Sequence, residues 1–252
     1  MHFYQFRTTR IQGTTRRATV IFTDNQQRCC GHYIITVDDP NIPDEDVFIA
    51  AELFAIQKAF NMGTGLSSKP KTGRSMQLQV TFGAIKKLQA AESNKLHLID
   101  YAHFLATRFH CAVITVENDD QPWLHSKRPA AQLFTVTEPD TEYVFCHALR
   151  AGVKVTRHAM HRLAERIENY QNSKDLYRTV VNSLSMQGNK LEVITPRERN
   201  NEKSIQAHGQ IPVYVYDHLN GVYLILVKNG HVYDLKTAVA NSEFADYSIL
   251  GH

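Results

Sequence analysis

The stretch from residue 44 to residue 60 reads DEDVFIAAELFAIQKAF. Three acids lead it, which suits the positive end of a helix dipole, and apolar residues then recur at helical spacing. The stretch therefore predicts a helix from about 44 to 60. Ahead of it, β-branched and aromatic residues predict strands at 3–6, 18–22 and 32–37. Three short strands joined by turns and followed by a helix predict an antiparallel meander packed against that helix.

The rest of the first half alternates strands and helices. We expect a strand at 76–82, a helix at 83–91, a long helix at 96–109, a buried strand at 110–116 and a further strand at 132–136. The order βββ-α-β-α-α-β predicts an α/β layer.

The second half has a different pattern. A strand at 153–155 leads to Thr156, a good N-cap residue, and helices are predicted at 157–169 and 173–186. Three further strands are predicted at 211–216, 222–227 and 231–235, and Asn-Gly precedes each of the last two. We therefore expect an α+β or α/β protein of two domains, 1–150 and 151–252, the second a β-αα-βββ unit.

Composition narrows the class of protein. With 43% hydrophobic and 21% charged residues, the chain is typical of globular proteins. It contains no apolar run long enough for a membrane span, and its first residues lack the pattern of a secretory signal. We expect a cytoplasmic protein that uses no membrane. The four cysteines include no Cys-x-x-Cys pair, so reduced thiols are expected rather than disulfides or metal ligands.

Positive charge is concentrated along the chain, although the formal net charge is only +3. The first 28 residues hold five arginines and one acid, Asp24. Such clustering favours a polyanionic partner. The loop at 63–75 is also basic, but it lacks the Gly-Lys-Ser/Thr order of a phosphate-binding loop. The candidate contact residues in the first half are Arg7, Arg10, Arg16, Arg17, Lys69, Lys71, Arg74, Lys86, Lys87, Lys127 and Arg128.

Residues 51–56, AELFAI, stand inside the first helix after the meander. Over residues 1–120 this arrangement resembles the ribonuclease H-like fold. In that family the glutamate of such a segment, here Glu52, is one of several carboxylates that hold two magnesium ions. The resemblance also requires aspartates where this chain has FRT at 6–8 and VTFG at 80–83. It therefore implies a domain without metal, cofactor or catalytic residues that is kept for binding. The alternative is that Glu52 is an exposed helix residue.

Residues 153–167, VKVTRHAMHRLAERI, open the second half. With the helix and meander that follow, they resemble the small toxin-like domains related to RelE and BrnT ribonuclease toxins. His158, Arg162 and Arg166 stand four residues apart and share one helical face, and Arg157 adjoins them. This face could bind phosphates through its arginines. The alternative is a structural role, because Glu165 is close enough to pair with Arg162.

Tyrosines in the last strands leave a similar choice open. Tyr214 and Tyr216 share one face of their strand by the period-two rule. Aromatic side chains on an open sheet can stack unpaired bases, whereas a core role is the commoner one.

These observations favour a non-catalytic nucleic-acid-binding protein, with RNA, single-stranded or messenger, preferred over DNA. One alternative is a ribonuclease that acts through Glu52 with metal, or through His158, Arg162 and Arg166 without it. A second is a protein-interaction module, such as an inhibitor of a host factor, that uses the acidic segment 38–46 or the loop 121–142. Protein partners or self-association are left open as well. Two nuclease-like halves are expected of a phage or mobile-element protein acting in the host cytoplasm. The assembly also resembles the RNA-binding proteins associated with the nucleus-like shell of jumbo phages.

Reversing charge on the second-half helix should weaken RNA binding. For Arg162→Glu combined with Arg166→Glu we expect a loss of affinity of several-fold or more, because two phosphate contacts become repulsive. Filter binding measures the loss, and thermal unfolding checks that the fold is intact. Unchanged affinity would show that the RNA contacts lie elsewhere.

Overall fold

A computed structural model describes residues 1–62, 66, 70–166, 176–186, 190–194, 205–206 and 209–240, apart from the side chain of Arg166. It is a mixed α/β structure with two six-stranded sheets. The chain divides into compact units at Met1–Thr141 and Glu142–His252, earlier than the expected boundary at 150. The reason is that the strand Val144–Cys146 pairs with Ala151–Val155 and so belongs to the second sheet. No helix among the described residues is long and apolar enough to cross a bilayer.

The first unit is built on one sheet with strand order β5-β4-β1-β2-β3-β6. The strands are β1 (His2–Arg10), β2 (Arg17–Thr23), β3 (Cys29–Val37), β4 (Met76–Val80), β5 (Val113–Val116) and β6 (Gln132–Val136). The predicted meander is confirmed, since β1, β2 and β3 pair antiparallel. The strands β4 and β6 are also confirmed; they pair parallel to β1 and β3 respectively.

Helices cover one face of this sheet. They are α1 (Val47–Met62), α2 (Gly83–Ala90) and α3 (His103–Ala106). The prediction of α1 is confirmed, and the helix is buried along most of its length. Its Phe60 ring lies 5.1 Å from the Tyr4 ring and 5.9 Å from the Phe6 ring. Because side chains alternate across a strand, Tyr4, Phe6 and Thr8 all face α1.

The predicted long helix at 96–109 is wrong. The segment forms a 3₁₀ turn at Leu96–Leu98 and the single-turn helix α3. Side chains just before and inside it bind acids far back in the sequence: Lys95 and His97 contact Asp46 at 2.6 and 2.7 Å. Tyr101 likewise donates to Asp39 at 2.8 Å. These contacts hold the segment in a path that a continuous helix would not follow.

The strand predicted as buried at 110–116 lies at the edge of the sheet. It begins at Val113, pairs only with β4 and leaves Val113 55% exposed. Its apolar run reads as a buried strand, but an edge position is a property of the sheet order, which a local pattern does not contain.

The second unit has strand order β7-β8-β12-β11-β10-β9. Its elements are β7 (Val144–Cys146), β8 (Ala151–Val155), α4 (Arg157–Arg166), α5 (Leu176–Leu184), β9 (Leu191–Ile194), β10 (Val213–Asp217), β11 (Val222–Asn229) and β12 (Val232–Ala240). The three-strand meander is confirmed, with Gly221 and Gly230 at φ of 62° and 61° in its turns. The strands β7 and β9 were not predicted.

The start of α4 is confirmed. The Thr156 hydroxyl accepts from the Ala159 backbone N–H at 3.2 Å and donates to the Leu235 carbonyl at 2.6 Å, so the N-cap also ties the helix to β12. Buried Ala159 and Leu163 form the inner side of the helix. The predicted helix ends at 169 and 173 lie outside the described residues.

A substitution at Gly31 tests how tightly the core of the first unit is packed. A Cβ at Gly31 would overlap the Phe22 ring, which is fully buried and held 5.2 Å from Phe6 and 5.0 Å from Tyr33. Gly31→Ala should therefore lower the free energy of unfolding by about 1–3 kcal/mol, as measured by urea denaturation. The control is Gly83→Ala at the start of α2, where the nearest atom is 4.0 Å away. A Gly31→Ala protein as stable as this control would contradict the prediction.

Candidate nucleic-acid interface

Glu52 lies in the core, between β1 and β4. Its side chain is fully buried, so the exposed role considered for it is wrong. One carboxylate oxygen accepts from the Thr81 backbone N–H at 2.7 Å, and the Thr81 hydroxyl accepts from the Thr8 backbone N–H at 2.9 Å. The other carboxylate oxygen and the Thr8 hydroxyl are buried without a hydrogen bond among the described residues.

Burial raises the pKa of Glu52 to about 7, because a charged carboxylate loses its hydration in the core. The hydrogen bond from the Thr81 N–H and the charge of Arg7 oppose the rise in the pKa of Glu52. Near neutral pH the side chain is therefore a mixture of its protonated and ionised forms.

These residues do not fit a two-metal centre. Beside Glu52 stand Thr8 on β1 and Thr81 just after β4, in the two places where the ribonuclease H resemblance requires aspartates. Mg²⁺ prefers clustered carboxylate oxygens. Among the described residues, no group of three or more His, Cys, Asp or Glu could hold a metal ion. Asp24, a buried acid after β2, uses its carboxylate to accept from the Gln26 backbone N–H at 3.0 Å.

The opposite face of the same sheet carries a cleft of about 320 Å³. Because side chains alternate along a strand, β1 directs Arg7 and Thr9 to this face and Thr8 to the other. The cleft is lined by Arg7, Thr9, Thr19, Ile21, Asn118, Asp119, Asp120, Leu124, His125 and Arg128. Two of the predicted contact residues, Arg7 and Arg128, thus come together across about 120 residues of sequence.

The segment after β5 holds the cleft in shape. The Arg7 guanidinium donates to the Asp119 backbone carbonyl, and Arg128 donates to the Leu124 carbonyl at 3.2 Å. His125 lies 2.8 Å from an Asp120 carboxylate oxygen.

With its amide oriented to satisfy its neighbours, Asn118 donates to the Thr81 carbonyl at 2.9 Å. The cleft is therefore linked by one hydrogen bond to the residue that binds Glu52.

Arg16 is a predicted contact residue that the structure uses to hold the turn after β3. Its guanidinium donates to the carbonyls of Val37 at 2.8 Å, Asp39 at 2.8 Å and Ile42 at 3.0 Å. It also contacts the Asp44 carboxylate at 2.6 Å. Four such contacts use most of its five N–H groups, so Arg16 is better understood as a structural residue.

The other predicted cations of the first unit are dispersed. Arg17 lies on the cleft face by alternation along β2, and Arg10 lies 5.7 Å from the centre of the Phe48 ring. Lys86 and Lys87 are exposed on α2, which packs on the helix side of the sheet. Lys71, Arg74 and Lys127 are exposed, and none of them lies in the cleft or on α2. Lys69 lies outside the described residues.

Helix α4 presents the predicted basic face of the second unit. His158 is exposed, while Arg162 is partly exposed and contacts Glu165 at 3.0 Å. Arg157 contacts His161 at 3.4 Å. The Arg162–Glu165 pair that the sequence suggested therefore forms, but a surface pair of this kind is weak and an RNA phosphate can displace it. The side chain of Arg166 lies outside the described residues.

The tyrosines of the second sheet belong mainly to its packing. Tyr214 and Tyr223 are 2% and 3% exposed, in a small cluster on the face opposite the larger core. Tyr216 is half-buried, with its ring 4.6 Å from the Tyr223 ring and 4.7 Å from the His218 ring. Base stacking on Tyr214 is therefore ruled out, because its ring is inaccessible.

Several residues of the cleft were not predicted. Thr9 and Thr19 alternate with core residues along β1 and β2, which is a signal that the sequence contains. Asn118 comes from an irregular segment and His125 from the 3₁₀ helix Pro122–His125, a single turn too short to show a periodicity. Comparisons of the chain with protein-family models, curated proteins and solved structures found no match.

The raised pKa of Glu52 makes stability depend on pH. The folded protein binds this proton more tightly than the unfolded chain, so stability is greatest in acid and falls as pH rises from about 4.5 towards 7. Relative to Glu52→Gln, which keeps an acceptor for Thr81, the wild type should lose about 2 kcal/mol between pH 5 and pH 8. Urea unfolding at both values measures this.

The exposed variant Glu92→Gln is the control and should show no such pH-dependent difference from the wild type. If the free energy of unfolding of the wild type changed with pH in the same way as that of Glu52→Gln, the assignment of a buried, weakly acidic Glu52 would be contradicted.

Proposed function

We propose that this chain is a non-catalytic nucleic-acid-binding protein that prefers RNA, single-stranded or messenger, to DNA. The observation that carries the proposal is the pair of arginines, Arg7 and Arg128, that line one open cleft on the face of the first sheet opposite α1. Arginine binds phosphate oxygens through two parallel hydrogen bonds. Two such side chains on a concave surface therefore favour a phosphodiester chain.

The neighbours of these arginines favour RNA. The hydroxyls of Thr9 and Thr19 line the same cleft and can exchange hydrogen bonds with a ribose 2′-hydroxyl, which DNA lacks. Helix α4 supplies a second cationic surface through Arg157, His158 and Arg162. Since phosphate contacts act by charge, the phosphate contacts of both surfaces should contribute to affinity for RNA of any sequence.

The order of elements supports the two resemblances. The first unit follows βββ-α-β with further short helices and a fifth strand, as expected of a ribonuclease H-like fold, and it adds a sixth strand, β6, beside β3. In the second, a strand leads into α4 and α5, and a meander follows, as expected of a RelE/BrnT-like domain. Two nuclease-like units favour an origin in a phage or mobile element and action in the host cytoplasm.

The surroundings of Glu52 support binding without cleavage. A single carboxylate with a pKa of about 7 between two threonines is a poor ligand for two divalent cations, which need several ionised oxygens. Incubation of labelled RNA with and without magnesium tests this directly. Cleavage that Glu52→Gln abolishes would show that the chain is a ribonuclease.

A polarisation titration tests the proposed function. Single-stranded RNA should bind more tightly than duplex RNA or DNA, with affinity that falls steeply from 50 to 200 mM salt. Arg7→Gln with Arg128→Gln should weaken binding by about tenfold and reduce the slope of log K against log salt by about 1 to 2. The matched control is Arg28→Gln with Arg150→Gln, at two exposed arginines outside the cleft.

An equal loss of RNA affinity in the two double variants would show that the cleft is not part of the interface. Binding that is independent of salt would favour a protein partner instead of a nucleic acid.

A further inference from the structure

The cleft that carries the proposed function has apolar walls as well as charges. Ile21 and Leu124 line it between the polar groups, and Ile21 is 4% exposed. A site for phosphate alone needs no apolar wall, because phosphate is hydrated on every side. Pockets that hold flat organic groups combine such walls with a few placed donors and acceptors.

The charges of the cleft also differ from those of a simple phosphate site. Beside Arg7 and Arg128, the lining includes the acid Asp119 and a second acid, Asp120, whose carboxylate lies 2.8 Å from His125. Carboxylates repel phosphate, but they accept hydrogen bonds from N–H groups. A ligand that matches this lining must therefore present both acceptors, for the arginines, and donors, for the carboxylate of Asp119, since Asp120 already contacts His125.

Among the four RNA bases, guanine meets this requirement best. Its O6 and N7 are adjacent acceptors, which arginine binds in a bidentate manner. Its N1–H and N2 amino group are adjacent donors, which one carboxylate can accept together. Adenine and cytosine each carry one amino group beside acceptors, and uracil carries one N–H between two carbonyls.

We propose that the cleft holds one unpaired base of the RNA, and guanine in preference to the other three. This inference rests on the proposed function. At about 320 Å³, the cleft is at the lower end of ligand pockets and has room for a single base rather than a duplex. In a duplex the donor edge of guanine is already paired, so only a single-stranded or looped-out base can present it.

The arginine of the cleft floor is held in place before any ligand arrives. Arg7 is half-buried, and its guanidinium donates to the Asp119 carbonyl, so little side-chain freedom remains to be lost on binding. Arg128 is exposed and can bind the phosphate attached to the same nucleotide. The two arginines thus have separate tasks, Arg7 with the base and Arg128 with the backbone.

The experiment measures binding of the four ribonucleoside 5′-monophosphates to the full chain by NMR or calorimetry. GMP should bind at least about fivefold more tightly than AMP, CMP or UMP. Asp119→Asn with Asp120→Asn should abolish this preference. Because that variant loses two negative charges, its affinity for single-stranded RNA polymers without guanine should stay the same or rise.

The control is Asp38→Asn with Glu92→Gln, which makes the same change in charge at two exposed positions outside the cleft. It should keep the preference for GMP. Equal binding of all four nucleotides by the wild type, or a preference that survives in Asp119→Asn with Asp120→Asn, would overturn the inference.

The two proposals fail in different ways. A chain that binds RNA polymers with salt-dependent affinity but shows no preference among mononucleotides keeps its proposed function and loses only the guanine site. A chain that binds neither polymers nor mononucleotides loses both.

Discussion

The packing of α1 on the first sheet is the contact on which this unit depends. Twelve of the sixteen residues of the helix are buried, so nearly every side of it touches the core. A helix in this position carries the polar residues on its inner sides into an apolar setting, and Glu52 is such a residue. Its raised pKa is a direct consequence, because the core offers it one backbone N–H and two hydroxyl neighbours but no paired cation.

Because successive side chains of a β-strand point to opposite faces, the first sheet has a core face and a cleft face. In β1, Thr8 faces the helix and contributes to the surroundings of Glu52, while Arg7 and Thr9 face the opposite side and line the cleft. The buried face is densely packed, so it holds the strands rigidly. The cleft on the other face therefore has a fixed floor, which favours binding that costs little conformational entropy.

Part of the candidate interface was evident from the sequence. Arg7 and Arg128 belong to the basic clusters that favour a polyanionic partner, and α4 shows its basic side where the spacing of His158 and Arg162 predicts it. Composition did not distinguish these residues from Arg16, which binds three backbone carbonyls and Asp44. The use of a guanidinium depends on which oxygens lie around it, and those oxygens come from other parts of the chain.

The sequence alone determined the order of the strands in both meanders, the position of α1, the hairpin turns at Gly221 and Gly230 and the N-cap of α4. Each follows from local periodicity or from the conformational freedom of one residue type. Only the tertiary structure decided the break in the segment 96–109, the edge position of β5, the raised pKa of Glu52 and the assembly of the cleft. Each of these depends on partners far apart in sequence, such as Lys95 with Asp46, which no local pattern encodes.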